Sequence, residues 1–132
     1  MLHRNMSMKP EQKAELLEKL TEQERYVTQE GGTDGAYTGE YTYHFARGCY
    51  RCKVCDSVLF RSDDKYDSGT GWPSYRRCEE GSVVEVVDVS YDVHRVEVRC
   101  STCDAHLGHV FRSNTSVRYC INSSSLSFNH VN

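Results

Sequence analysis

No apolar run in this sequence of 132 residues approaches the about 18 that a bilayer-spanning helix requires, so no membrane partner is expected. No basic run is present either. With a formal net charge of −3, nucleic acid has little electrostatic hold on the chain. The first residues, Met1 to Met6, lack the apolar core of a signal peptide, so a cytoplasmic location is the default expectation. Internal repeats and low-complexity tracts are absent. At 38% hydrophobic and 27% charged residues, the chain reads as one soluble domain over 1–132, with residues 1–8 as a disordered tail.

What the chain does have is cysteine, seven of them, an odd and high number. Without a leader into an oxidising compartment, metal binding and redox chemistry fit that number better than disulfides. Four lie in two C-x-x-C pairs, Cys52–Cys55 and Cys100–Cys103, with 44 residues between them. Four thiolates suit one tetrahedral Zn2+ and leave no open coordination position, so the expected site is structural. The long gap means that the metal clips two distant hairpin turns together. Two disulfides, or a thioredoxin-like pair, are the competing readings. A redox C-x-x-C sits at a strand-to-helix junction, and no helix pattern follows either pair. A zinc deaminase is disfavoured because no H-x-E occurs and no proline precedes either pair.

Helical signals are confined to the N-terminal part. Lys9 to Leu20 has Pro10 in its first turn and a stripe of Leu16, Leu17 and Leu20; Thr21 and Glu24 have capping-box spacing. Gly31 and Gly32 end any helix there. Beyond them the period is two. Strands are expected at Tyr41–Phe45, Val83–Val89, Arg95–Arg99 and Val117–Asn122, with a further one at Val58–Phe60 and a turn at Ser90–Asp92. The fold class is therefore mainly antiparallel β with short N-terminal helices.

In Val117–Asn122 the alternation puts Arg118, Cys120 and Asn122 on one face. A permanent cation two positions away is expected to depress the Cys120 pKa, and the thiolate is the nucleophile. The bland alternative is a buried structural cysteine. The only tryptophan, Trp72, stands in a Gly-rich turn, as a core plug or as the wall of a pocket. His106 and His109 directly follow the second knuckle, and imidazoles are the obvious proton carriers beside a thiol. Taken without its chemistry, the same set describes a zinc-ribbon binding module that uses Trp72 and nearby tyrosines for recognition.

Five motifs in order carry a specific resemblance: the first knuckle, Lys65–Tyr75, the second knuckle, His106–Phe111 and Arg118–Ser123. Together they resemble the B-type methionine sulfoxide reductases, from about Thr21 to Phe128. The resemblance implies two antiparallel β-sheets and reduction of methionine R-sulfoxide, chiefly in oxidised proteins and also as the free amino acid. It implies thioredoxin as reductant, and a monomer is expected. Cys120 matches the nucleophile that becomes a sulfenic acid, and His106 and His109 match the pair near the sulfoxide oxygen, with His109 as proton donor. Arg118 and Asn122 match residues that orient and activate the thiol. Trp72 matches the wall for the methyl group, with Phe111 and Phe128 as further substrate contacts. Two departures stand out. Many members carry a resolving cysteine where this chain has Thr70, which leaves Cys78 or Cys49, or direct reduction by an external thiol. The stretch Arg112–Ser116 is short and lacks the acidic residues usual there, with Ser113 near the place of a supporting carboxylate.

Overall fold

A computed structural model describes residues 8–89 and 94–131; the turn expected at Ser90–Asp92 and residues 1–7 of the expected tail lie outside these. Met8 is half-buried against the core.

Two helices come first. Helix α1 (Pro10–Glu18) starts at its proline, and α2 (Glu22–Glu30) starts from the Thr21/Glu24 capping box. There the Thr21 hydroxyl accepts from the Glu24 N–H (3.1 Å), and the Glu24 carboxylate accepts from the Thr21 N–H (2.9 Å). Gly31 closes α2 at φ 71°, and Val27 anchors the helix in the interior.

The strands are β1 (Gly48–Cys52), β2 (Val58–Arg61), β3 (Lys65–Tyr66), β4 (Ser74–Tyr75) and β5 (Val83–Asp88). They continue with β6 (Arg95–Cys100), β7 (His106–Arg112), β8 (Val117–Ile121) and β9 (Leu126–His130). They form two antiparallel sheets, a three-stranded one ordered β2-β1-β9 and a six-stranded one ordered β3-β4-β8-β7-β6-β5. The core lies between them. Phe60 of β2 stacks on Tyr75 of β4 at 4.3 Å, and Tyr50 of β1 meets the same ring edge-on at 5.3 Å. Val98, Leu107, Ile121 and Leu126 are fully enclosed beside them.

One expected strand does not form. Tyr41 to Phe45 makes consecutive turns, with the Thr42 N–H bonded to the Gly39 carbonyl and the His44 N–H to that of Tyr41. Its aromatic alternation serves packing instead of a ladder, because Tyr41 sits edge-on to Tyr50 at 5.6 Å. The buried ammonium of Lys65 donates to the Thr42 carbonyl (3.0 Å) and lies 4.0 Å over the Phe45 ring, which fixes the turn. Conversely β1, β7 and β9 are strands that the alternation did not single out. Among the described residues no helix is long and apolar enough to cross a membrane.

Candidate active site and metal centre

The six-stranded sheet has one face on the core and one face of polar side chains. Its register places Ser74, Cys120, His109 and Glu97 directly opposite one another on four adjacent strands, so all four project from the same face. Between Val98 and Arg99 of β6 the pairing with β7 shifts by one residue. The extra residue, Leu107, turns into the core, and the bulge brings His106 round to the face of His109, with ring centroids 5.6 Å apart. Gly108 is required at this point: a Cβ there would fall 2.0 Å from the Cys120 carbonyl oxygen.

Each imidazole has a carboxylate partner that sequence reasoning missed. His106 Nδ1 lies 2.6 Å from Glu97 Oε2, and His109 Nε2 lies 2.9 Å from Asp88 Oδ2. Arg99 and Arg95 bracket the two carboxylates in turn, at 2.8 and 3.2 Å. Burial pushes the Glu97 carboxyl up, but hydrogen bonds from His106 and Arg99 outweigh it and hold the group at about 2. Asp88 of β5 and Glu97 of β6 thus set two carboxylates against the histidine pair. Only the register discloses them.

Burial pulls His109 below the usual imidazole range, opposed by its bond to Asp88 and reinforced by the charges of Arg95 and His106. An ionised carboxylate only accepts, so Nε2 carries the hydrogen towards Asp88 and Nδ1 is the nitrogen left for proton exchange. The expected depression of the Cys120 pKa is not met. Burial pushes this half-buried thiol up, and the Arg118 charge and the hydrogen bonds from Thr70 and Arg118 offset that only in part. Arg118 and Thr70 together did not outweigh the loss of water.

Beside Cys120 is a cleft of about 110 Å³, walled by Trp72 and Phe111 and reached by Arg95, His109 and Asn122. Arg118 lies 4.5 Å over the Phe111 ring. The size is well below the roughly 300 Å³ of a drug-sized ligand site, so it suits a small group such as a methyl sulfoxide. A second, polar cleft of about 630 Å³ adjoins it, sharing Thr33, Arg95 and His109 and containing His106 and Glu97. Phe128 lines neither cleft. It belongs to β9, in an aromatic cluster 4.3 Å from His44 and 5.0 Å from Tyr50.

Asn122, which lines the small cleft, is held by main-chain groups. Its amide Nδ2 and main-chain N–H both donate to the Leu107 carbonyl (3.0 and 2.9 Å), and its Oδ1 accepts from the Asp34 N–H (2.8 Å). It braces the bulge that sets His106. The two spare thiols are separated from Cys120. Cys78 Sγ stands 3.7 Å from the Tyr119 hydroxyl, and Tyr119, adjacent to Cys120 in β8, projects to the opposite face. Cys49 lies in the other sheet, 3.5 Å from an Arg61 nitrogen.

The four knuckle cysteines converge at the C-terminal ends of β1 and β6. Their sulfurs all lie within 4.8 Å of one another, so the four could hold a metal ion. The two turns repeat each other. Cys52 accepts from the Asp56 N–H and Cys100 from the Asp104 N–H (2.8 and 2.9 Å), and both aspartates have φ near 68°. The closest sulfurs belong to different knuckles, Cys52 to Cys103 and Cys55 to Cys100, each at 3.6 Å. That is far beyond a disulfide bond of about 2.05 Å. It is close to the edge, about 3.8 Å, of a tetrahedron with metal–sulfur bonds of about 2.3 Å. A metal held here would join the end of one sheet to the end of the other.

A model of the SelR domain matches residues 20–130 of the chain. The chain is 50% identical over 118 residues to methionine-R-sulfoxide reductase B3, mitochondrial, of Mus musculus, an alignment covering 86% of this chain and 47% of that protein. It is 51% identical over 113 residues to the peptide methionine sulfoxide reductase MsrB of Pseudomonas paraeruginosa, covering 83% and 86% of the two chains. Its identity to the protein of the same name from Synechococcus sp. is 49% over 114 residues, with 83% and 84% covered. The chain thus spans about half the length of the mouse relative and most of the other two. On this likeness and this site, the chain belongs to the SelR-domain family of oxidoreductases, the B-type methionine-R-sulfoxide reductases.

Proposed function

We propose that the chain reduces the R epimer of methionine sulfoxide, chiefly in proteins, with Cys120 as nucleophile. The observation that carries this is the single row of Ser74, Cys120, His109 and Glu97 across one sheet face, beside a small cleft walled by Trp72 and Phe111. In the first half-reaction the Cys120 sulfur attacks the sulfoxide sulfur. His109, directly opposite, takes the thiol proton and passes it to the sulfoxide oxygen, which is a poor leaving group until protonated. The oxygen then migrates to the Cys120 sulfur as the S–S and S–O bonds to the methionine sulfur break; methionine departs, reduced by two electrons, and Cys120, oxidised by two, is left as a sulfenic acid. Two external thiols then reduce that acid, giving water, a disulfide and the free Cys120 thiol. Thioredoxin is the dithiol that the family resemblance favours. The adjoining polar cleft has room for polypeptide beside the oxidised methionine, which supports a protein substrate.

The reading predicts turnover on the R epimer alone when dithiothreitol is the reductant. Equal rates on both epimers, or none on either, would sink it. The position of Cys78 on the far face gives a second expectation. Cys78→Ser leaves the ratio of thioredoxin-driven to dithiothreitol-driven turnover unchanged, whereas a selective loss with thioredoxin would make Cys78 the resolving thiol.

A third concerns pH. The competent pair holds one proton between Cys120 and His109, whichever of the two carries it. Below the His109 pKa, itself under the usual value of about 6.5, the pair holds two protons and His109 cannot accept another. Above the Cys120 pKa, which exceeds the usual value of about 8.5, the pair holds none to give. kcat/KM is therefore expected to be flat between those limits and to fall outside both. His109→Gln is expected to lower it by roughly 100- to 10,000-fold and to remove the acid limb. An acid limb that survives in this variant would assign the proton to another group.

We further propose that Cys52, Cys55, Cys100 and Cys103 hold zinc. With four protein ligands the ion would take no part in the reaction and would supply only a cross-link between the sheets.

A further inference from the structure

Trp72, the wall of the small cleft, is fixed through its ring nitrogen to the main-chain carbonyl of Asp34 (2.9 Å). Asp34 belongs to residues 31–35, which form no helix or strand, so no ladder holds that carbonyl in place. Its own side chain does so. Oδ1 accepts from the Ser124 hydroxyl (2.6 Å) and from Gln23 Nε2 (3.0 Å), and Oδ2 accepts from the Ser124 N–H (2.9 Å). The Asp34 N–H meanwhile donates to Asn122 Oδ1 (2.8 Å), two residues past Cys120. One residue, 5% exposed, therefore ties the wall of the cleft to the segment that carries the thiol.

We propose that Asp34 is a specificity-setting positioning residue. By fixing Trp72 relative to Cys120 it sets the width of the cleft, and hence the preference for a methyl over a larger substituent on the sulfoxide sulfur. This rests on the reading of that cleft as the methyl site. Asp34 touches no reacting atom in this scheme and acts through Trp72. A carboxylate is needed because its two oxygens together serve three donors. An amide in its place has one acceptor oxygen and turns an NH2 group towards another donor.

The test compares the R epimers of methionine sulfoxide and ethionine sulfoxide, with dithiothreitol as reductant, in the wild type, Asp34→Asn and Ser124→Ala. Trp72 is the sole tryptophan, so its fluorescence reads that wall alone. The wild type is expected to prefer the methyl substrate by about 10-fold or more in kcat/KM, the worth of one methylene in a shaped pocket. Asp34→Asn is expected to lose at least about threefold of that preference. KM for the methyl substrate should rise more than kcat falls, and the Trp72 emission should move to longer wavelength. Ser124→Ala, which removes one of the three donors, should move the same readouts in the same direction by less. A wild-type ratio and emission in Asp34→Asn would overturn the proposal. If that variant fails to fold, an unchanged ratio and emission in Ser124→Ala overturns it instead. A wild type with no methyl preference would contradict the methyl-site reading itself, and a preference kept in both variants contradicts only the part given to Asp34.

Discussion

Cys120→Ser is expected to abolish reduction of methionine R-sulfoxide, with kcat/KM falling by roughly 10,000-fold or more, equivalent to about 5.5 kcal/mol of transition-state stabilisation. A serine hydroxyl has neither the polarisable sulfur nor the accessible anion that attack on a sulfoxide demands. The loss is expected without unfolding. Cys120 is half-buried and its polar neighbours are Thr70 and Arg118, both of which a hydroxyl can also satisfy. The melting temperature should therefore stay close to that of the wild type while turnover disappears. Residual R-specific turnover within about tenfold of the wild type would move the nucleophile elsewhere.

The second large effect is that of metal removal. Exhaustive chelation, or Cys→Ser at position 52, 55, 100 or 103, is expected to unfold the chain or to lower its melting temperature sharply. Structural zinc in small Cys sites contributes an apparent ~10–16 kcal/mol, as much as the whole stability of about 5–15 kcal/mol of an ordinary domain. The position of the knuckles explains why the effect should be global. Cys52 ends β1 of the three-stranded sheet and Cys100 ends β6 of the six-stranded one, so losing the ion releases one sheet from the other at that edge. Four buried or half-buried thiols would then face one another without a common partner. Unchanged stability and metal content after chelation would contradict the zinc assignment.

Much of this was legible in the residues, for physical reasons that vary along the chain. The capping box at Thr21 and Glu24 is a local interaction, and it formed as spaced. β8 buries Tyr119 and Ile121 and leaves Arg118 and Cys120 more open, which is what alternation reports, whereas in β6 Glu97 and Val98 are both buried although they point to opposite faces. β7 was hidden because Gly108 and the bulge at Leu107 interrupt its period, and these same features set the two histidines side by side. Tyr41–Phe45 has the alternation but no neighbouring strand to complete a ladder, so packing against Tyr50 and Lys65 decided its shape. The knuckle cysteines could be grouped from spacing because a C-x-x-C turn brings its two sulfurs within reach of one ion, and the four lie within a few ångströms of one another. Asp88, Glu97 and Asp34 could not, since the strand register and loop packing select their partners, not a sequence spacing. The Cys120 pKa is the sharpest case. A charge two residues away is visible in the sequence, whereas the burial that outweighs it is a property of the folded sheet.

One measurement bears most directly on Cys120 as the oxidised intermediate that an external thiol restores. The protein is mixed with one equivalent of methionine R-sulfoxide without reductant. Its free thiols are then counted, and the peptide bearing Cys120 is examined by mass spectrometry after trapping sulfenic acid. The expected result is the loss of one thiol, with a single trapped sulfenic acid at Cys120 and Cys78 and Cys49 still reduced. Loss of two thiols as a disulfide, or methionine formed with Cys120 unmodified, would contradict it.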